Sequence, residues 1–278
     1  MDTELTHCRH DRSHCLAPGL FRSLKKGERK KQKLDVSYSH GSEVVRFIGF
    51  EPLGADDLRL LQGIVALSGP EGVLLTPTPS AESPKTLRRL LEITGGVEPV
   101  NALMVTAHVG RLLVETGMTD GGKNIKILKA SLVRLSNVTV IASRGEKLAS
   151  FRLLSFYFDG LSGQLHVALN PRLADAVVGS QHARIELSEV RKLKSDAARL
   201  IHQRLCGFVN HGKSHRVNLD SLCGYVWPEE SGSEAGIRQR RSRVRKALRE
   251  IVACGWGVRE YAHAKFEFRR PPLPGRPA

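Results

Sequence analysis

Residues 238–249, RQRRSRVRKALR, hold six arginines, one lysine and no acid. Advanced at about 100° per residue, Ile237, Val244, Leu248, Ile251 and Val252 fall on one face. Gln239, Ser242, Arg243 and Lys246 fall roughly opposite, flanked by Arg238, Arg240, Arg245 and Arg249. The spacing therefore predicts a helix with one buried seam and a cationic outer face. Like charges along a helix repel, and a polyanion offsets that cost. Arginine in particular suits bidentate contact with phosphate and guanine. The bland alternatives are a solvated basic face and a helix that pairs with an acidic protein.

The surroundings of this helix have a definite order. SDAARLIHQRLCGF, 195–208, reads as a helix capped by Ser195, with Ala197, Leu200, Ile201, Leu205 and Phe208 as its stripe. HRVNL is strand-like, LDSLCGYVW is a short helical turn stopped by Pro228, and PEESGSEAG is a linker. After the basic helix and Gly255, WGVREYA and KFEFRR alternate around HA as a hairpin. Helix, strand, short helix, turn, basic helix and hairpin is the winged helix-turn-helix order, in which the last helix enters the major groove.

An earlier stretch repeats the order. ADDLRLLQGIVALS, 55–68, is amphipathic with Asp56 and Asp57 in its first turn; NALMVTA is strand-like; HVGRLLVETG is a helix ending at Gly117. KNIKILKASLVRLS follows as a second basic helix. Its stripe is Ile125, Leu128, Leu132 and Leu135; Lys123, Lys126 and Arg134 point away, and Lys129 lies nearer the stripe. NVTVIAS, a turn at RGEK and LASFRLLSFYF complete the unit. It carries extra material: a helix SPKTLRRLLEIT with Ser83 as cap and Pro84 at its first position, then a strand GQLHVALN and a helix PRLADAVVG. The predicted fold class is α+β: two tandem winged helix-turn-helix domains, over 47–184 and 185–278, behind a basic N-terminal arm and first strand over 1–46. KLDVSYS and EVVRFIGF read as a strand pair joined by HGSE. Before them, RSLKKGERKKQK, 22–33, has seven cations and one acid, Glu28, and no apolar stripe, so it reads as a flexible arm. The end, RRPPLPGRPA, reads as a disordered proline-rich tail.

Net charge is +15, which attracts a polyanion, nucleic acid above all. No apolar run has the length of a membrane span, and the first residues lack a signal-peptide stretch, so a cytoplasmic location and no membrane partner are expected. Five cysteines without a C-x-x-C pair read as reduced thiols. His7, Cys8, His10, His14 and Cys15 crowd together, but their spacing matches no common zinc finger, and no metal or other cofactor is expected. GFVNHGKS, 207–214, matches the phosphate-loop pattern G-x-x-x-x-G-K-S. A working phosphate loop leaves a strand and opens a helix; here a helix precedes, with Gly207 just past its end, and a strand follows. The expectation is a non-enzymatic protein. Trp227 and Trp256 read as packing around the second basic helix.

Several long strings carry a family likeness: HCLAPGLFRSLKKGERKKQKLDV, EPLGADDLRLLQGIVALSGP, FRLLSFY, HVALNP, LIHQRLCGFV and LCGYVWP. Over nearly its whole length the chain resembles the RepC replication initiators of IncQ-type plasmids. The resemblance implies binding to iterons, direct repeats in the double-stranded origin, then opening of an AT-rich stretch. It also implies loading of a plasmid-encoded replicative helicase, with a plasmid primase acting next, and no enzymatic activity of the initiator. A monomer or dimer is compatible with direct repeats. On the basic helix, Gln239, Ser242 and Arg243 are the candidates for base edges, and Arg238, Arg240, Arg245, Lys246 and Arg249 for phosphates. Lys123, Asn124, Lys126 and Arg134 take the corresponding parts in the first unit. Lys265, Arg269 and Arg270 are wing candidates, and Arg22, Lys25, Lys26, Arg29, Lys30 and Lys31 are arm candidates for a minor groove or backbone. The alternative is a winged-helix transcriptional regulator without a replication role.

Overall fold

A computed structural model describes residues 5–25, 27–75 and 102–273. Lys26, the segment containing the expected Ser83 helix and the last residues of the proline-rich tail lie outside these.

The chain begins with β1 (His7–His10) and α1 (Arg12–Leu16). The Asp11 carboxylate caps α1, accepting from the His14 amide at 3.1 Å. Both elements are core rather than arm: Cys8, His10, His14 and Cys15 are all buried. β1 pairs antiparallel with β10 (Ala183–Glu186), far along the chain. A short 3-10 turn (Arg29–Lys31) leads to β2 (Leu34–His40) and β3 (Glu43–Gly49), the predicted strand pair. On β3 the alternation sends Val45 and Phe47 inward and leaves Val44 and Arg46 outside.

Helix α2 (Ala55–Glu71) then crosses the centre, followed by β4 (Val73–Leu75), β5 (Ala102–His108), α3 (Val109–Glu115) and the basic helix α4 (Gly122–Ser136). Its predicted stripe holds: Leu128, Leu132 and Leu135 are buried, with Ile125 packed beside them. The hairpin β6 (Thr139–Arg144) and β7 (Lys147–Arg152) follows. The sequence reads LASFRLLSFYF as one strand, but the structure breaks it at Leu153 into β7 and β8 (Leu154–Phe158). Leu153 is fully buried; its amide donates to the Val138 carbonyl at 2.8 Å, and its carbonyl accepts from Asn170 Nδ2 at 2.8 Å. Those two bonds satisfy the backbone where it leaves one sheet for another. β8 pairs with β9 (Gln164–Leu169), and α5 (Pro171–Val178) follows, capped by Asn170 with a proline in its first turn.

The second half runs α6 (Leu187–Lys192), α7 (Asp196–Phe208), β11 (Ser214–Asn218), α8 (Leu219–Val226), α9 (Glu234–Ala253), β12 (Gly257–Ala262) and β13 (Lys265–Arg269). Ser195 caps α7 as expected, its hydroxyl accepting from the Ala198 amide at 3.2 Å. Gly207, however, lies inside α7 rather than past its end. Its reason is close packing: a Cβ there would sit 2.7 Å from Leu16 Cδ2 and 3.0 Å from Cys15 Cβ on α1.

The larger sheets have the orders β2-β3-β6-β7, β4-β5-β9-β8 and β11-β13-β12. Here the two halves part company. In the second, the strand between the helices, β11, pairs with the hairpin strand β13. In the first, β5 pairs with β4 and β9, while the β6–β7 hairpin extends β3. The extra strands of the first half therefore divide its repeat between two sheets. One continuous core joins the halves, from Phe47 and Leu61 through Leu200 and Ile251. Among the described residues no helix is long and apolar enough to cross a membrane.

Candidate nucleic-acid interface

Helix α9 sits against the second half by a narrow seam of Val244, Ala247, Leu248 and Ile251, spaced three and four apart. Ile237 and Val252, expected in that seam, are 38% and 48% exposed. The helix has 20 residues, about 30 Å of length, and the seam residues occupy only its second half. The side chain of Ser233 caps its first turn, accepting from Gly236 N at 3.1 Å.

The cations of α9 fall into two sets. Arg241 makes a two-pronged contact with Asp220 of α8 at 2.8 and 2.9 Å. Arg245 does the same with Glu260 of β12 at 2.8 and 3.2 Å, while lying 5.3 Å from the Phe266 ring. Arg238 faces Glu234 one turn back at 3.6 Å, and Arg240 stacks 5.6 Å from Trp227 and donates to the Glu229 carbonyl. Arg243, Lys246 and Arg249 form the second set: they are exposed, and no acid among the described residues pairs with them. With exposed Gln239 and Ser242 they span about 120° of arc, centred opposite the seam. Arg238, Arg240 and Arg245, expected as free phosphate contacts, are thus engaged within the fold, and Arg241, which the spacing alone did not single out, is tied to α8. The signal for these partners was present: Asp220 and Glu260 are acids in elements flanking the helix, but their sequence distance hid the pairing.

The β12–β13 hairpin turns at His263 and Ala264, and Ala264 takes a left-handed φ of 57°. Glu260 braces this turn from below, accepting from the Ala264 amide at 2.9 Å as well as from Arg245. Lys265 and Arg269 are exposed on β13. Arg270 is not a wing residue: it is 2% exposed, lies 5.4 Å from the Trp256 ring and donates to the carbonyls of Val209 at 3.0 Å and Arg184 at 2.5 Å.

In the first half, Lys123 and Lys126 are exposed on α4. Asn124 is occupied locally, its amide donating to the Thr119 carbonyl at 2.7 Å and hydroxyl at 3.0 Å. Lys129 lies 4.6 Å above the Phe158 ring. Arg134 points inward instead of away: its guanidinium meets the buried Asp57 at 2.9 Å and the Ser131 hydroxyl at 2.9 Å. A carboxylate with no solvent access demands such partners, and that demand overrides the helical wheel. The same Asp57 takes Arg29 at 2.9 Å. Arg22 is also buried, bonded to Glu229 and to the Gly19 carbonyl at 3.0 and 3.1 Å. The segment 22–33 is therefore anchored along the body, not a free arm; Lys25, Lys30 and Lys31 remain exposed on it.

One cluster has metal-ligating residue types. Glu189, His202 and Cys206 are buried with ligand atoms within 4.8 Å of one another. His202 Nε2 is 2.6 Å from Glu189 Oε2, however, shorter than the separation of about 3.3 Å between two light-atom ligands of tetrahedral zinc. Trp256 Nε1 donates to the same oxygen at 3.1 Å. These distances fit a hydrogen-bonded core network that joins α6, α7 and the residue before β12. Burial disfavours charge on the His202 ring, but Cys206 and Glu189 outweigh it, and the ring is pushed up to about 10. GFVNHGKS runs from the last turn of α7 to the first residue of β11, with Gly212 at φ 73°. A helix precedes it and a strand follows, the reverse of a phosphate loop.

Two comparisons relate this architecture to known proteins. Crystal structures of domains 2 and 3 of RctB share the fold: one aligns with a TM-score of 0.54 over 93% of this chain and 97% of that one, at 11% identity. Another, of RctB residues 155–483, aligns with a TM-score of 0.50 over 85% and 89%, also at 11% identity. No curated protein matches the sequence. The family model of Replication protein C spans residues 2–272, nearly the whole length, and the chain therefore belongs to the RepC family of replication proteins.

Proposed function

We propose that this protein initiates plasmid replication by binding direct repeats in the origin as double-stranded DNA. In this reading each half is a winged helix-turn-helix unit, the first over 47–184 and the second over 185–278. Helix α9 enters a major groove with Gln239, Ser242 and Arg243 toward base edges and Lys246 and Arg249 toward phosphates. Lys265 and Arg269 flank the backbone, and Lys123 and Lys126 of α4 serve a neighbouring groove segment. The observation that carries the reading is the row Gln239, Ser242, Arg243, Lys246 and Arg249. It is exposed, faces no acid among the described residues, and stands on a helix followed by a hairpin. Membership of a replication protein family supports the initiator role over a purely regulatory one. In the same reading, an AT-rich stretch beside the repeats opens and a plasmid-encoded helicase and primase follow. The protein itself acts without catalysis.

Footprinting on the cognate plasmid tests this. Protection of tandem direct repeats is expected, with permanganate-reactive thymines appearing beside them. An inverted repeat with no strand opening would favour a transcriptional regulator instead, and hydrolysis of ATP by the purified chain would overturn the non-enzymatic reading.

A further inference from the structure

The two basic helices present different chemistry on their outer faces. On α4, Lys123, Lys126, Ala130 and Val133 fall within about 80° of arc, opposite the buried Leu128, Leu132 and Leu135. All four are exposed, Val133 by 46%. No acid among the described residues pairs with either lysine. The uncharged hydrogen-bonding side chains of this helix and its C-terminal cap are all engaged within the fold. Asn124 Nδ2 donates to the Thr119 carbonyl at 2.7 Å. The Ser131 hydroxyl is buried and accepts from Arg134 at 2.9 Å. Ser136 Oγ and Asn137 Nδ2 donate to the Val133 carbonyl at 3.0 and 2.8 Å. Lys129 and Arg134 are turned aside, toward the Phe158 ring and Asp57. What the outer face of α4 offers a groove is therefore two ammonium groups and the methyls of Ala130 and Val133. The corresponding row on α9 is Gln239, Ser242, Arg243, Lys246 and Arg249, without an apolar side chain.

We propose that Ala130 and Val133 are specificity-determining residues that read thymine methyl groups, so that the first half selects an A·T block while α9 reads its block by hydrogen bonds. The proposal rests on the reading that α4 enters a major groove. The thymine C5-methyl is the apolar feature of the base edges there, and small apolar side chains such as alanine make contact with it. Ala130 and Val133 lie about 4.5 Å apart along the helix axis. That is close to the step of about 3.4 Å between base pairs, so the two reach neighbouring bases. Single exposed apolar residues are ordinary on a protein surface. These two differ in lying beside lysines, on a helix whose amides and hydroxyls are already bound. Lys123 and Lys126 favour a polyanion as the occupant over a second copy of a chain that carries +15.

The test uses the duplex that the full chain selects from a randomised library, with each thymine replaced in turn by deoxyuridine, which lacks only the methyl group. Fluorescence anisotropy titrations read the affinity. The native chain should lose about fourfold at one or two adjacent thymines, the effect of exposing one methyl-sized group. In Val133→Ala the loss at one of those positions should disappear, whereas Gln239→Ala on α9 should leave both losses in place. Val133 faces solvent, so its replacement leaves the core intact. An identical scan in Val133→Ala and the native chain would overturn the proposal, and weaker self-association of Val133→Ala alongside it would assign the face to a second copy. Lys126→Ala tests the reading beneath. It should lower the slope of log affinity against log salt by about 0.9, and an unchanged slope would show that α4 does not touch DNA.

Discussion

The division of the α9 cations into paired and unpaired sets predicts different salt dependences for single substitutions on one helix. Each phosphate neutralised by a free cation contributes about 0.9 to the slope of log affinity against log salt. Lys246 and Arg249 have no acid partner among the described residues, so Lys246→Ala and Arg249→Ala should each lower the slope by about 0.9. Between 50 and 200 mM salt that is about a 3.5-fold change per residue in the ratio of affinities. Arg241 and Arg245 each carry a carboxylate partner at 2.8 Å, so their net contribution to the field at the DNA is small. Removing the pair together, Arg241→Ala with Asp220→Asn, should leave the slope nearly unchanged, and Asp220→Asn alone, which frees Arg241, should raise it. Arg243→Ala should lose about 1–3 kcal/mol on a selected site and relax preference at one base position, with less effect on random DNA. Fluorescence anisotropy titrations of a random-sequence and a selected duplex over this salt range measure all five variants. Equal slope losses for the Arg241→Ala, Asp220→Asn double variant and for Lys246→Ala would refute the division.

Gly207→Ala should destabilise by about 1–3 kcal/mol despite its better helix propensity, because the new methyl would meet Leu16 at 2.7 Å; chemical denaturation measures this. Asn170→Ala should cost about 2 kcal/mol or more in the same assay, since it removes a helix cap and leaves the buried Leu153 carbonyl unpartnered. For His202 the folded value is raised to about 10 from an ordinary 6.5, so its stabilisation is fully present below pH 6.5 and is lost as pH rises toward 10. Among the described residues the ring's Nδ1 has no partner, so the effect acts through Nε2, which faces Cys206 Sγ at 3.6 Å and Glu189 at 2.6 Å. The drop in melting temperature between pH 7 and pH 10 should therefore shrink in His202→Gln, and Glu189→Gln should destabilise at pH 7 by about 3–5 kcal/mol. An unchanged pH profile in His202→Gln would show that the pair is not charged.

Sequence and structure agree best where a single physical period governs the element. The stripes of α4 and α7, the Ser195 cap and the β2–β3 and β12–β13 hairpins follow from helical or strand alternation and from local turn chemistry, and all are in place. They differ where a partner lies far away in the chain. Arg134 reads as an outward cation because its neighbours on the wheel are solvent-facing, yet Asp57, 77 residues earlier, draws it inward. Arg22 and Arg270 read as cationic surface for the same reason, and their partners are backbone carbonyls and Glu229, which no pattern marks. Among the basic residues of α9, the exposed row was legible from spacing, but which arginines are already neutralised was not.

The sequence by itself determined where most of the longer helices and the β2–β3 and β12–β13 hairpins lie, the greater part of each helix's apolar seam, and that cationic charge is concentrated on two helices and one short segment. Periodicity and composition are properties of neighbouring residues, so they survive without a fold. The tertiary structure alone decided which cations are free, that the 22–33 segment is anchored at both ends, and that the first half splits its strands between two sheets. Those outcomes depend on where a buried carboxylate or an unpaired carbonyl comes to rest, and in a low-dielectric interior each such group takes whichever donor the fold brings within reach.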